Sequence, residues 1–286
     1  MTTSLETIRL ADVSLVCAVD GPPDAPLVIL AHGFPDDAST FRAQVPALLA
    51  AGFRTAAPTL RGYAPSGVAR SERYDVASLG SDLVGLANHL SPHAPARLIG
   101  HDWGALAGYA AAAIAPARFS HFVSMAVPHP RAILGAARPA QARRSWYIGL
   151  FQLPWLAEAR LRRNDHALID ELWRDWSPSY RPSAEELRAV KRGIAGRERE
   201  VLAYYRALLA PSALFGEPRR LLLSRTRVPA LHLHGEEDGC VGVECTENAE
   251  RWYDAPYRLQ RISGAGHFLQ REKPAEVNAA LLAFLT

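Results

Sequence analysis

Gly100-His101-Asp102-Trp103-Gly104 has a small-x-nucleophile-x-small form, but its nucleophile position holds aspartate where serine is usual. That residue type selects a chemistry. A serine attacking an sp3 carbon would leave an ether with no carbonyl for water to attack. A carboxylate attacking the same carbon gives an alkyl ester, which water can cleave to restore the side chain. An ordinary aspartate is ionised at neutral pH and needs no base for its own attack. Asp102 therefore points to alkyl electrophiles such as epoxides and alkyl halides. The bland alternative is a glycine-rich strand–helix turn whose aspartate caps the helix.

This chemistry needs a sharp turn between a strand and a helix. Arg97-Leu98-Ile99 supplies an apolar strand before the pentapeptide, and an Ala/Gly-rich helix over 105–115, ended by Pro116, follows it. Gly100 and Gly104 permit close backbone approach, and the helix N-terminus directs free N–H groups at developing negative charge. Upstream, β-like runs occupy 7–10 and 13–19, and the unbroken apolar run 26–30 reads as a buried strand. A helix over 40–51 ends at Gly52 and leads to a strand over 53–57. Val76, Leu79, Leu83, Leu86 and Leu90 mark one face of a helix over 74–90, and a strand follows the pentapeptide's helix at 121–127.

Such alternation implies a parallel sheet covered by helices on both faces. It stops at Pro128-His129-Pro130. Segment 131–225 holds helical patterns rich in Arg, Trp and Leu with no convincing strand, and then strands at 228–234 and 257–262 and a helix over 276–285 resume. The expected organisation is an α/β core in two parts, 1–130 and 226–286, with a helical cap, 131–225, inserted over the strand ends.

Composition narrows the function class. The chain has 286 residues and a formal net charge of only +3. The pairs Arg143-Arg144, Arg162-Arg163 and Arg219-Arg220 are mixed with acids, as on solvated helix faces, and no aromatic interleaving marks a nucleic-acid surface. Cys17, Cys240 and Cys245 form neither a disulfide framework nor a metal-ligand cluster. Residues 1–10 lack a secretory pattern, and the longest apolar stretch, 104–115, is too short to span a bilayer. The expectation is a cytoplasmic enzyme without metal or cofactor, with no nucleic-acid or membrane partner, and with oligomerisation left open.

Together with three further motifs, these features resemble the α/β-hydrolases that carry an inserted cap, and most closely their epoxide hydrolase branch. The resemblance covers nearly the whole chain and implies the α/β-hydrolase fold: a mostly parallel eight-stranded sheet with helices on both faces. His32-Gly33-Phe34-Pro35 follows the third strand, so the resemblance makes the Phe34 and Trp103 backbone N–H groups the oxyanion hole. His267, in Gly264-Ala265-Gly266-His267-Phe268, takes the position of the water-activating histidine among ten histidines in the chain. Asp238, in Gly235-Glu236-Glu237-Asp238, matches the triad acid, with Glu237 as the fallback; the segment after the sixth strand, 125–129, offers no carboxylate.

The family's two cap tyrosines, which donate to the opening epoxide oxygen, map to Tyr147, ahead of Phe151-Gln152-Leu153-Pro154, and to Tyr205 in Tyr205-Arg206. Tyr204 is the register alternative for the second. Phe34, Trp103, Phe151 and Phe268 are expected to contact a small apolar or aromatic epoxide, which would leave as a vicinal diol. Thr59 and Ala64-Pro65 depart from the family's usual residues outside this chemistry.

Two other readings remain. A haloalkane dehalogenase would use the same Asp102, with tryptophan N–H donors drawn from Trp103, Trp146, Trp155, Trp173 and Trp176, although Phe34 stands where those enzymes often have Asn. A non-catalytic binding protein on a hydrolase scaffold would predict a broken triad. Serine-esterase chemistry is disfavoured by Asp102, and a carboxylate-bearing halide substrate by Trp103, where an arginine would be needed.

Overall fold

Eight strands make one sheet in the order β1-β2-β4-β3-β5-β6-β7-β8 in a computed structural model that describes residues 4–136 and 139–286. They are β1 (Ser4–Arg9), β2 (Ser14–Asp20), β3 (Leu27–Ala31), β4 (Arg54–Pro58), β5 (Ala96–His101), β6 (Phe119–Met125), β7 (Ala230–Gly235) and β8 (Tyr257–Ile262). β2 pairs antiparallel with β1 and β4, and every pairing from β4 across to β8 is parallel. Residues 1–3 of the expected 1–130 part and residues 137–138 of the expected cap lie outside the described residues.

Five helices flank the sheet: α1 (Gln44–Ala50), α2 (Val76–Leu90), α3 (Trp103–Ile114), and, after β8, α12 (Leu269–Glu272) and α13 (Pro274–Leu285). All five residues of β3 are buried, because α2 and α3 cover one face and α1 and α13 the other. The small residues of α3 let it sit very close to the sheet: a Cβ at Gly108 would collide with the Phe122 ring, and one at Gly80 of α2 would lie 2.8 Å from the Ala110 Cβ. The helix expected over 40–51 is divided into a 3-10 turn, Ala38–Phe41, and α1. Pro46 explains the break, since proline is tolerated in a first helical turn but not further in. α2 begins at Val76 because the Asp75 side chain caps the Ser78 N–H.

Between β6 and β7 the described residues form helices alone: α4 (Pro130–Gly135), α5 (Pro139–Arg144), α6 (Trp146–Phe151), α7 (Leu156–Trp176), α8 (Ala184–Ile194), α9 (Glu198–Leu209), α10 (Pro211–Phe215) and α11 (Glu217–Leu222). α7 is interrupted at Arg163–His166, where three consecutive residues have positive φ. Among the described residues no helix is long and apolar enough to cross a membrane.

Candidate active site

Asp102 joins β5 to α3 at φ 50° and ψ −116°, a region that residues with a Cβ rarely occupy. The glycines on either side make that turn possible. A Cβ at Gly104 would collide with the Ala31 carbonyl, and one at Gly100 with that of Gly104. The elbow holds the carboxylate at the end of β5, where only 6% of the residue is exposed. Asp102 Oδ1 accepts the Phe34 N–H at 2.8 Å. The neighbouring Gly33 is equally constrained, because any Cβ there would strike the Asp102 side chain. Trp103 opens α3, so its N–H belongs to the first turn, whose donors have no partner within the helix.

His267 follows β8 on a loop and faces two carboxylates. Its Nδ1 lies 2.9 Å from Asp238 Oδ2, and its Nε2 lies 3.7 Å from Asp102 Oδ2. The second separation is too long for a hydrogen bond, and Nε2 is buried without a partner. Asp238 Oδ1 accepts the N–H groups of Cys240 and Val241 at 2.7 and 2.9 Å, which fixes the acid's orientation. Burial by itself would lower the His267 pKa, but the Asp238 and Asp102 carboxylates outweigh it and push the imidazole up to about 10. Burial by itself would raise the Asp238 pKa, but the facing imidazole brings it below the ordinary value. Glu237, the fallback acid, is exposed and accepts the Ser179 hydroxyl at 2.5 Å.

The helical segment holds these loops in place. The Trp176 carbonyl accepts the N–H groups of both His267 and Gly239, at 3.0 and 3.1 Å. Trp173 Nε1 donates to the Pro35 carbonyl at 2.7 Å, beside the Phe34 donor. Arg271, 7% exposed, reaches Asp36 at 2.7 Å and Glu186 of α8 at 3.2 Å, and lies over the Trp173 ring.

The two tyrosines assigned from the motifs meet edge to face, ring centroids 5.7 Å apart. Tyr205 also packs on Trp103 at 5.1 Å and on Phe34 at 5.4 Å, and its buried hydroxyl has no hydrogen-bond partner. Tyr147 Oη lies 3.3 Å from Cys240 Sγ. Burial raises both phenols well above their ordinary pKa, so they keep the proton a donor needs. Tyr204 is turned elsewhere: its hydroxyl donates to the Arg61 carbonyl at 2.7 Å and its ring packs on Tyr63 and Tyr74.

Phe151 contacts Phe34 and Tyr205, at 5.6 and 4.9 Å between ring centroids. Phe268 stacks on Trp173 at 4.0 Å and meets the His101 and His267 rings, so its observed contacts support the histidine. Trp176 sits 4.9 Å from Tyr147 and 5.1 Å from His267, a position that no local motif signalled. His232 and His234 are buried in a hydrogen-bonded run from Ser124 to the Val241 carbonyl.

One proximity was not visible along the sequence. Cys240 does share a cluster with potential metal ligands: its Sγ and one atom each of Asp238 and His267 lie within 4.8 Å of one another. Spacing along the chain hid this, because residues 27 positions apart follow the carboxyl ends of the adjacent strands β7 and β8. All three side chains are already bonded within the protein, the histidine to the acid and the thiol to Tyr147.

Residues 26–274 match the model of the family described as alpha/beta hydrolase fold. The chain belongs to that family. This α/β-hydrolase is 34% identical to Epoxide hydrolase A of Mycobacterium tuberculosis (strain ATCC 25618 / H37Rv), covering 98% of this chain and 97% of the relative. It is 31% identical to Epoxide hydrolase 3 of Xenopus tropicalis over 97% of this chain and 77% of the relative. The crystal structure of Epoxide Hydrolase A from Mycobacterium thermoresistibile superposes with a TM-score of 0.84 at 31% identity, over 99% of this chain and 98% of that one. The α/β-hydrolase described here is thus a hydrolase of the epoxide hydrolase-like kind.

Proposed function

We propose that this α/β-hydrolase converts epoxides to vicinal diols through an alkyl ester on Asp102. The observation that carries the reading is the pairing of a carboxylate at the elbow with two buried phenols among the rings beside it. Asp102 Oδ2 attacks an epoxide carbon and the C–O bond breaks. The departing oxygen takes a proton from Tyr147 or Tyr205, so no free alkoxide has to form. The His267 imidazolium returns a proton to the tyrosinate, and the neutral ring, oriented by Asp238, then takes a proton from water as that water attacks the ester carbonyl. The resulting oxyanion meets the Phe34 and Trp103 N–H groups. Collapse releases the diol, restores the carboxylate and leaves His267 as the imidazolium it was at rest.

The helical segment 131–225 serves as the cap in this scheme, contributing both tyrosines and the ring of Phe151. The aromatic surroundings of Asp102 favour an apolar or aromatic epoxide. Buried cysteines without disulfides, Cys17 and Cys240, fit a reducing compartment such as the cytoplasm. The halide reading loses support because Trp146 and Trp155 are 48% and 85% exposed and the Trp173 N–H is committed to Pro35. A single turnover of a styrene-type epoxide in 18O-water tests the proposal: label should enter Asp102, whereas label in the diol alone would rule out the ester.

A further inference from the structure

Cys240 touches the proposed chemistry without being part of it. It is 1% exposed, and its Sγ lies 3.3 Å from Tyr147 Oη. The thiol's place is fixed from both sides of its peptide unit. Its N–H donates to Asp238 Oδ1 at 2.7 Å, and its carbonyl accepts from Gln141 Nε2 of α5 at 2.8 Å. Gln141 Oε1 also accepts the Gly242 N–H at 2.9 Å, so the cap holds the turn that carries the thiol. Tyr205 has no thiol beside it and packs instead on the Trp103 indole.

We propose that Cys240 is a positioning residue for Tyr147, its S–H holding the phenol oxygen so that the phenol proton points at the opening epoxide. Burial, together with the Asp238 and Asp102 carboxylates, raises the thiol's pKa well above its ordinary value, so the sulfur keeps its proton. A protonated thiol and a phenol 3.3 Å apart can share only one hydrogen in the bond between them. With Tyr147 donating outward to a substrate oxygen, the S–H is left to bond the phenol oxygen as that oxygen gains charge. Sulfur is a weak acceptor, so the opposite arrangement competes poorly with an epoxide oxygen.

The inference rests on the epoxide reading, and the test separates the two. Alkylation rates are measured in single turnovers for Cys240→Ala and Cys240→Ser, each in the native, Tyr147→Phe and Tyr205→Phe backgrounds. Losing one neutral hydrogen bond should slow alkylation roughly three- to tenfold in the alanine chain, while serine, which keeps a donor, should restore the rate. The alanine effect should vanish in the Tyr147→Phe background and persist in full in Tyr205→Phe, a pattern that general loosening of the loop would not produce. Cys240→Val, which keeps bulk but has no donor, replaces the alanine chain if that chain does not fold. An equal slowing in the Tyr147→Phe background, or no slowing at all, overturns this inference alone. A native chain that forms no diol from any epoxide in a panel overturns both readings.

Discussion

His267 Nε2 and Asp102 Oδ2 stand 3.7 Å apart, close enough for strong charge interaction but too far for a direct hydrogen bond. In the resting protein this relationship helps keep the imidazole protonated, with its pKa pushed up from 6.5 to about 10. Esterifying Asp102 removes one of the two charges responsible. Hydrolysis of the ester should therefore rise with pH through a midpoint below about 10. Alkylation should not share that limb, because it asks nothing of a neutral imidazole. Rapid-quench rates for the two steps across pH check this; identical profiles would contradict it.

The same shift has a sign for stability. A group whose pKa is higher folded than unfolded stabilises the fold fully below its unfolded pKa, near 6.5, and loses that contribution as pH rises through about 10. The melting temperature should fall across that window. Asp102→Asn weakens the attraction, so its melting temperature should fall less steeply over the same range. Parallel curves for the two chains would mean that Asp102 does not hold the proton.

Blocking the second half of the proposed cycle should trap the first. His267→Ala should still open an epoxide, and its intact mass should increase by the mass of the substrate. Absence of an adduct with a substrate that the native chain turns over would remove His267 from a purely hydrolytic role.

Asp238→Asn should slow ester hydrolysis on the order of 10⁴-fold, because an amide cannot hold the Nδ1–H tautomer or stabilise the imidazolium. Glu237→Gln should leave the rate near native, as that carboxylate is exposed and bonded to Ser179. Single-turnover rates of the two variants decide the assignment.

Each of Tyr147→Phe and Tyr205→Phe should cost roughly 10²–10³ in alkylation rate, the usual effect of removing one transition-state donor. The double variant should be nearly inactive on epoxides yet keep any incidental halide release, since a halide needs no proton. Tyr204→Phe should instead reduce the melting temperature with little effect on alkylation, because its hydroxyl holds the Arg61 carbonyl. Loss of halide release in the double variant would favour a dehalogenase.

Much of this arrangement was legible from the chain because short motifs carry it. The elbow depends on glycines next to Asp102, and the expected parallel sheet depends on unbroken apolar runs such as 26–30. The choice between Tyr204 and Tyr205 was not legible. Adjacent residues on α9 point in different directions, and only packing against Arg61 on one side and Phe34 on the other shows which faces Asp102. Cys240, Trp176 and Arg271 escaped for a related reason. Their partners lie 93, 91 and 235 residues away, at Tyr147, His267 and Asp36, and no local pattern records such distances. The split of the 40–51 helix was readable in principle from Pro46.

The backbone of Asp102 has a consequence for how the chain can change. At φ 50° and ψ −116° the position suits glycine better than any residue with a Cβ, and such strain typically amounts to about 1–3 kcal/mol. Asp102→Gly would shed that strain but also the attraction to the His267 imidazolium, so the variant should melt higher than the native chain once pH passes about 10, where that attraction is gone. Selection for robustness alone under those conditions would then drift toward loss of the proposed nucleophile. Screens that stabilise this scaffold therefore have to score turnover alongside melting temperature, or they will enrich for chains whose elbow has relaxed.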